Sequence, residues 1–233
     1  LAGALDCVRE LHKRGVVVSA GHSKASFDES ERAVKAGVSL ITHLFNAMVP
    51  FHHRDPGLIG LIGADDKEQD RLFYSLIADG HHAHPASVKI AYRSHPKGIV
   101  LVTDAIIAMG LGPGRYQFGA FSVDIKCSGV PAASDTTPAT TPAAAAAATA
   151  AAPAAGGSGP DHKSDASGGS HDHGSSSSSS HSNAHGAGGN CAGCTARVAG
   201  TETLAGSIVH MDQCVRNFRR YTGCSVVEAI EAA

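Results

Sequence analysis

Four short runs of β-branched and apolar residues each lead into a polar side chain capable of chemistry, and helix-like patterns lie between them. V-V-V-S-A runs into G-H-S with His22, and S-L-I-T-H-L-F carries His43. F-Y-S-L-I-A leads to D-G-H-H with His81 and His82, and G-I-V-L-V-T leads to Asp104. Apolar runs this short, bounded by glycine, proline or polar clusters, read as buried strands over 16–20, 39–45, 73–78 and 99–103. Leu1, Leu5, Val8 and Leu11 draw a helical stripe over 1–14 that should face a core, with Gly15 as its stop. Ser26 and Glu29 have the spacing of a capping box, which predicts a helix over 27–36 ended by Gly37. Pro85 suits the first turn of a further helix reaching about residue 93. Strand and helix alternating at this interval predict a parallel sheet with right-handed crossovers.

Beyond Asp104 the pattern changes. Residues 115–126 alternate as an exposed hairpin would. Residues 128–193 are an Ala-, Ser-, Gly- and His-rich block without Leu, Ile, Phe, Tyr or Met, so they cannot offset the entropy cost of ordering and are expected to be disordered. Its five histidines (His162, His171, His173, His181 and His185) could hold metal only loosely. Order should return at 194–233, with an amphipathic helix over 208–221 and a last one capped by Ser225. The domain organisation expected is therefore 1–127 and 194–233 as one folded domain interrupted by 128–193. Because the chain opens on Leu1 and stops within a helical pattern, it reads as a piece of something longer.

Composition narrows the function classes. A formal charge of −2 without a long basic run gives nucleic acid and anionic membranes no electrostatic hold. The longest apolar runs fall well short of the roughly 20 residues of a membrane span, and no secretory signal is visible. Six scattered cysteines lack the spacing of a disulfide framework, which makes a reducing cytosol the expected compartment. Cys191 and Cys194 form one C-x-x-C without the second pair that a structural zinc site usually needs.

His22 and His43 on neighbouring parallel strands would put two imidazoles at one rim of a β/α barrel. Neutral imidazole suits zinc and other late divalent ions. Asp104, at the end of an almost wholly apolar strand, should cost several kcal/mol of desolvation unless it is paired or metal-linked. A single carboxylate there can take a proton from water and return it to a leaving amine. Arg54, in the Gly/Pro-bounded loop after the His43 strand, could clamp a phosphate together with the backbone amides of Asn46 and Ala47.

G-H-S, T-H-L-F-N-A-M with H-H-R-D-P-G, I-A-D-G-x-H, L-V-T-D-A and T-L-A-G-S occur here in the order found in N-acetylglucosamine-6-phosphate deacetylases of the amidohydrolase superfamily. The H-H-R-D-P-G form looks more like the eukaryotic branch. The resemblance covers 1–126 and 195–233. It implies an α/β fold, a partial TIM-like (β/α)8 metal-dependent hydrolase barrel comprising about strands five to eight. The N-terminal half, its glutamate ligand and the accessory β-sandwich would lie outside this chain, which alone should be inactive. The implied reaction is metal-dependent removal of acetate from N-acetyl-D-glucosamine 6-phosphate, in amino-sugar catabolism. His22 and His43 would hold a divalent ion, with zinc ahead of iron, and Asp104 would be catalytic. Asn46, Ala47, Arg54, His82, Leu204, Ala205 and Gly206 would bind a phosphorylated amino sugar, with 203–207 as a small-residue loop over it. Similar enzymes are homodimers, and the cysteine reading makes a cytoplasmic setting the expectation. Two other readings stay open: another amidohydrolase such as a cyclic amidase or deaminase, and a non-catalytic protein whose His-rich insert buffers metal.

Overall fold

The computed structural model describes residues 3–64, 71–127 and 193–233, all within one compact unit. The expectation of disorder over 128–193 falls almost wholly outside the described residues, as do Leu1 and Cys191.

The chain runs α1 (Ala4–Lys13), β1 (Val18–Ala20), α2 (Phe27–Ala36), β2 (Val38–Ile41), a 3-10 segment (Gly57–Gly63), β3 (Phe73–Ile77), α3 (Pro85–Ser94), then, after a short 3-10 turn, β4 (Ile99–Val102). Then come β5 (Gly114–Phe118), β6 (Phe121–Cys127), β7 (Cys194–Val198), β8 (Leu204–Gly206), α4 (Met211–Thr222) and α5 (Val226–Glu231). Strands β1 to β4 form one sheet in sequence order, every neighbour parallel, as the alternation of elements predicts. The predicted capping box closes α2: Ser26 Oγ accepts from the Glu29 N–H and Glu29 returns a bond to the Ser26 N–H. The same motif, Ser225 with Glu228, starts α5.

Apolar residues of the parallel sheet and of the 3-10 segment meet α3, α4 and α5 in one core, with Ile41, Leu44, Tyr74, Leu76, Val88, Leu101 and Phe218 all fully buried. Tyr92 of α3 meets Phe218 of α4 edge to face, ring centroids 5.3 Å apart. The Asn217 amide reaches from α4 to donate to the Ala78 carbonyl, 2.9 Å away, at the end of β3.

Several expectations need correction. Strand β1 begins at Val18, leaving Val16 and Val17 exposed. Helix α1 forms, but none of its residues is buried; it packs chiefly against α2 and β1. The expected second strand breaks after Ile41, since His43 and Phe45 take left-handed conformations that no strand can continue through. Helix α4 starts at Met211 rather than 208. The expected lone hairpin is half of a four-stranded antiparallel sheet, β5 to β8, with its own small core of Val123, Ile125 and Ala196 under Ala108.

That sheet also corrects the cysteine reading. Cys127 and Cys194 stand directly opposite each other on β6 and β7 and form a disulfide, with a Cα–Cα distance of 3.9 Å. The pairing spans 67 positions of sequence, so spacing alone gave no sign of it. Such a bond persists only where the surroundings are oxidising. In a reducing cytosol the same register would hold two facing thiols.

Candidate active site

Chemistry gathers where the parallel strands end. Five non-glycine described residues have positive φ: His22 (46°), His43 (33°), Phe45 (79°), Ala47 (52°) and Asp104 (48°). Side chains in the left-handed region are strained by about 1–3 kcal/mol each, and such strain clusters where function demands a geometry. Four of the five are residues that the sequence singles out for chemistry.

His22 and His43 meet. Their Nε2 atoms lie 3.0 Å apart, with ring centroids separated by 4.8 Å. Two nitrogens on a tetrahedral zinc, each about 2.0–2.1 Å from it, would be about 3.3 Å apart. The observed spacing is close to that of two ligands sharing one ion. The His43 backbone N–H donates to Ser75 Oγ at 2.7 Å, which ties the turn to β3. His43 is buried while His22 is exposed. His43 Nδ1 is the one buried side-chain nitrogen or oxygen among the described residues with no hydrogen-bond partner. A metal-bound histidine usually donates its second N–H to an acceptor, so this half of the arrangement departs from the usual pattern. The donor pair suits a divalent ion, but among the described residues no group of three His, Cys, Asp or Glu side chains could hold one.

Asp104 does not join the two histidines in such a group. Its side chain is exposed, which overturns the expectation of a desolvated carboxylate. The strand ends before the buried layer closes over it. Its carbonyl accepts from the Ser207 N–H at 3.4 Å, and the Ile106 N–H donates to the Ser207 carbonyl at 2.9 Å. This bridge draws β8 against the end of β4. Residues 204–206 are consequently a strand, not the expected loop. Gly206 has φ 143°, and a Cβ there would lie 2.4 Å from Ile106 Cγ2, so only glycine allows the approach.

His82 stands apart from His22, His43 and Asp104 in what it lines. A cavity of about 240 Å³ is lined by Asp79, His82, Leu204, Gly206, Gln213 and Arg220, among others, and does not include His22, His43 or Asp104. His82 Nδ1 is 2.6 Å from Asp79 Oδ2, with both side chains mostly covered. Asp79 Oδ1 accepts the backbone N–H groups of His81 and His82 at 2.8 and 2.9 Å. Burial pushes the Asp79 carboxyl up, but hydrogen bonds from His82 and His81 outweigh it and hold the group below its ordinary value. Sequence reading missed Asp79; its position three residues before His82 in D-G-H-H was the available signal. His81 is exposed.

Arg54 is exposed, and among the described residues no contact of its guanidinium with the Asn46 or Ala47 amides is found. The Asn46 side chain instead donates to the carbonyls of His43 and Leu44 at 3.4 and 3.3 Å, bracing the histidine turn. Asp55 anchors the loop by accepting from the Phe27 N–H at 2.8 Å.

No protein-family model matches the chain. An N-acetylglucosamine-6-phosphate deacetylase of Danio rerio is 39% identical over 234 residues, spanning 100% of this chain and 42% of that protein. The Homo sapiens protein of the same name is 39% identical over 229 residues, 98% of this chain and 40% of its own length. A solved mutant N-acetyl-D-glucosamine-6-phosphate deacetylase from Mycobacterium smegmatis, in complex with N-acetyl-D-glucosamine-6-phosphate, superposes with a TM-score of 0.63 at 25% identity. That match covers 99% of this chain and 42% of the other. The chain thus spans about two-fifths of the length of the relatives it matches.

Proposed function

We propose that the chain, similar over nearly all its length to N-acetylglucosamine-6-phosphate deacetylases, carries part of the active site of an enzyme hydrolysing N-acetyl-D-glucosamine 6-phosphate to D-glucosamine 6-phosphate and acetate. The observation that carries this reading is the convergence of His22 and His43 Nε2 at 3.0 Å, on strained turns ending adjacent parallel strands. The parallel sheet is read as about strands five to eight of a (β/α)8 barrel, with 1–127 and 194–233 as one domain and 128–193 as an insert.

His22 and His43 would hold the divalent ion, zinc first by ligand chemistry, together with ligands from outside this set. Such an ion, when bound, supplies Lewis-acid polarisation of the scissile amide. Asp104, exposed at its strand end, is free to accept a proton from the attacking water and to pass one to the departing amine nitrogen. Leu204, Gly206 and His82 would line the sugar, since they share the cavity, with Ala205 between the first two on β8. Arg54, with Asn46 and Ala47, would meet the 6-phosphate; its exposure leaves the guanidinium available for one. Homodimerisation is carried over from similar enzymes; in a cytoplasmic setting, the compartment expected from the scattered cysteines, Cys127 and Cys194 would face each other as thiols. Among the described residues no helix is long and apolar enough to cross a membrane.

The test measures acetate release from the phosphorylated sugar by the polypeptide in its whole length. Activity should require a divalent ion and fall steeply when the 6-phosphate is absent. Equal turnover of the unphosphorylated sugar would contradict the substrate reading.

A further inference from the structure

The Asp79–His82 pair fixes more than a side-chain position. An ionised carboxylate can only accept hydrogen bonds. Asp79 Oδ1 is already taken by two backbone N–H groups, and Oδ2 faces His82 Nδ1 at 2.6 Å. The proton of the neutral ring must therefore sit on Nδ1, leaving a lone pair on Nε2. The turn that presents the ring is itself held from two sides. Asn217 donates to the Ala78 carbonyl just before it. Gly80 has φ 88°, and a Cβ there would stand 2.8 Å from the Tyr221 hydroxyl.

We propose that Asp79 is a positioning residue that locks His82 in the Nδ1–H tautomer, so that Nε2 faces the cavity as an acceptor for a substrate hydroxyl. This departs from the ordinary expectation of a histidine donating to the oxygen that becomes negative in the tetrahedral intermediate. It rests on the sugar-phosphate reading of the cavity for the identity of the hydroxyl, but the tautomer itself does not depend on that reading. The low-lying carboxyl of Asp79 is consistent with a charged acceptor at this position.

Asp79→Asn separates the two roles with little change of shape. The amide oxygen would keep the two backbone N–H groups, which turns the amide nitrogen toward His82 Nδ1. An N–H donor there forces the ring proton onto Nε2, the tautomer error that the same replacement produces in Ser-His-Asp triads.

The experiment is 15N spectroscopy of the histidine ring nitrogens in the 233-residue chain at pH 8, with His82→Gln used to assign the signals. The expected result is a protonated Nδ1 and bare Nε2 in the unaltered chain, and the reverse in Asp79→Asn. A protonated Nε2 in the unaltered chain overturns the proposal without any variant having to fold. An unchanged tautomer in Asp79→Asn overturns it as well. In the whole-length polypeptide, Asp79→Asn should weaken N-acetyl-D-glucosamine 6-phosphate binding about tenfold, the worth of one good hydrogen bond, with a smaller effect on kcat. A reversed tautomer with unchanged affinity would leave the lock standing and contradict the acceptor role of Nε2 toward that sugar.

Discussion

The two sheets divide the work of the site. Strands β1 to β4 end in side chains: His22, His43 and Asp104 stand on left-handed turns just past them, and Asp79 and His82 on the turn after β3. Strands β5 to β8 contribute backbone: the Ser207 peptide bridges Asp104 and Ile106, and Leu204 and Gly206 wall the His82 cavity. The parallel sheet is strained and chemically loaded. The antiparallel sheet is regular along the hairpin and tied by a disulfide and the two-point Arg115–Asp124 pair. A strand end with free polar groups can serve catalysis, whereas a paired strand can only shape what lies beside it. Alterations on one side should therefore change chemistry, and alterations on the other should change stability.

Asp104→Asn should give the largest contrast: turnover of the whole-length polypeptide falls about 10²–10⁴-fold, the usual weight of a general acid–base group, while the melting temperature holds. Steady-state rates with thermal unfolding of the same preparation check it. On the other sheet, Ile125→Ala removes a side chain buried in the small core and should cost about 2–5 kcal/mol in denaturant unfolding. Reducing the Cys127–Cys194 bond, which closes a long loop, should cost up to about 4 kcal/mol without altering ion binding at His22 and His43.

The layout of the parallel sheet was legible because short apolar runs and a capping box are local signals, and Ser26 with Glu29 forms the bonds their spacing predicts. His22 and His43 were legible as a pair for the same reason. The exposure of Asp104 was not, since an apolar strand carries no record of where the covering layer ends. Nor was the strand over 204–206 within the expected loop, which depends on pairing Gly206 with Ala196 across a tight turn and Ser207 with Ala105 across a long stretch of sequence. Asp79 was overlooked because a lone aspartate before a glycine reads as turn chemistry.

Two smaller tests sharpen the contrast. Ala47→Gly relieves a left-handed alanine whose side chain is exposed, and should raise stability by about 0.5–1 kcal/mol despite the flexibility glycine adds to the unfolded chain. The Arg115–Asp124 pair is the smallest effect. The hydrogen bond from Arg115 holds the Asp124 carboxyl below its ordinary value, so its contribution is present above the unfolded carboxyl's titration and is lost as pH falls through the lowered folded one. The Arg115 side chain is about half exposed, so Arg115→Ala should cost under about 1 kcal/mol near neutral pH and less once the carboxyl is protonated. Unfolding free energies of the two proteins against pH would show the gap between the curves narrowing in acid.

The most direct test of the central claim is calorimetric titration of the polypeptide in its whole length with Zn²⁺, since His22 and His43 are only two of the ligands the ion needs. The account predicts one tight site that survives deletion of residues 128–193 and disappears in the His22→Ala, His43→Ala double variant. Tight binding that persists in the double variant and vanishes with the deletion would contradict it.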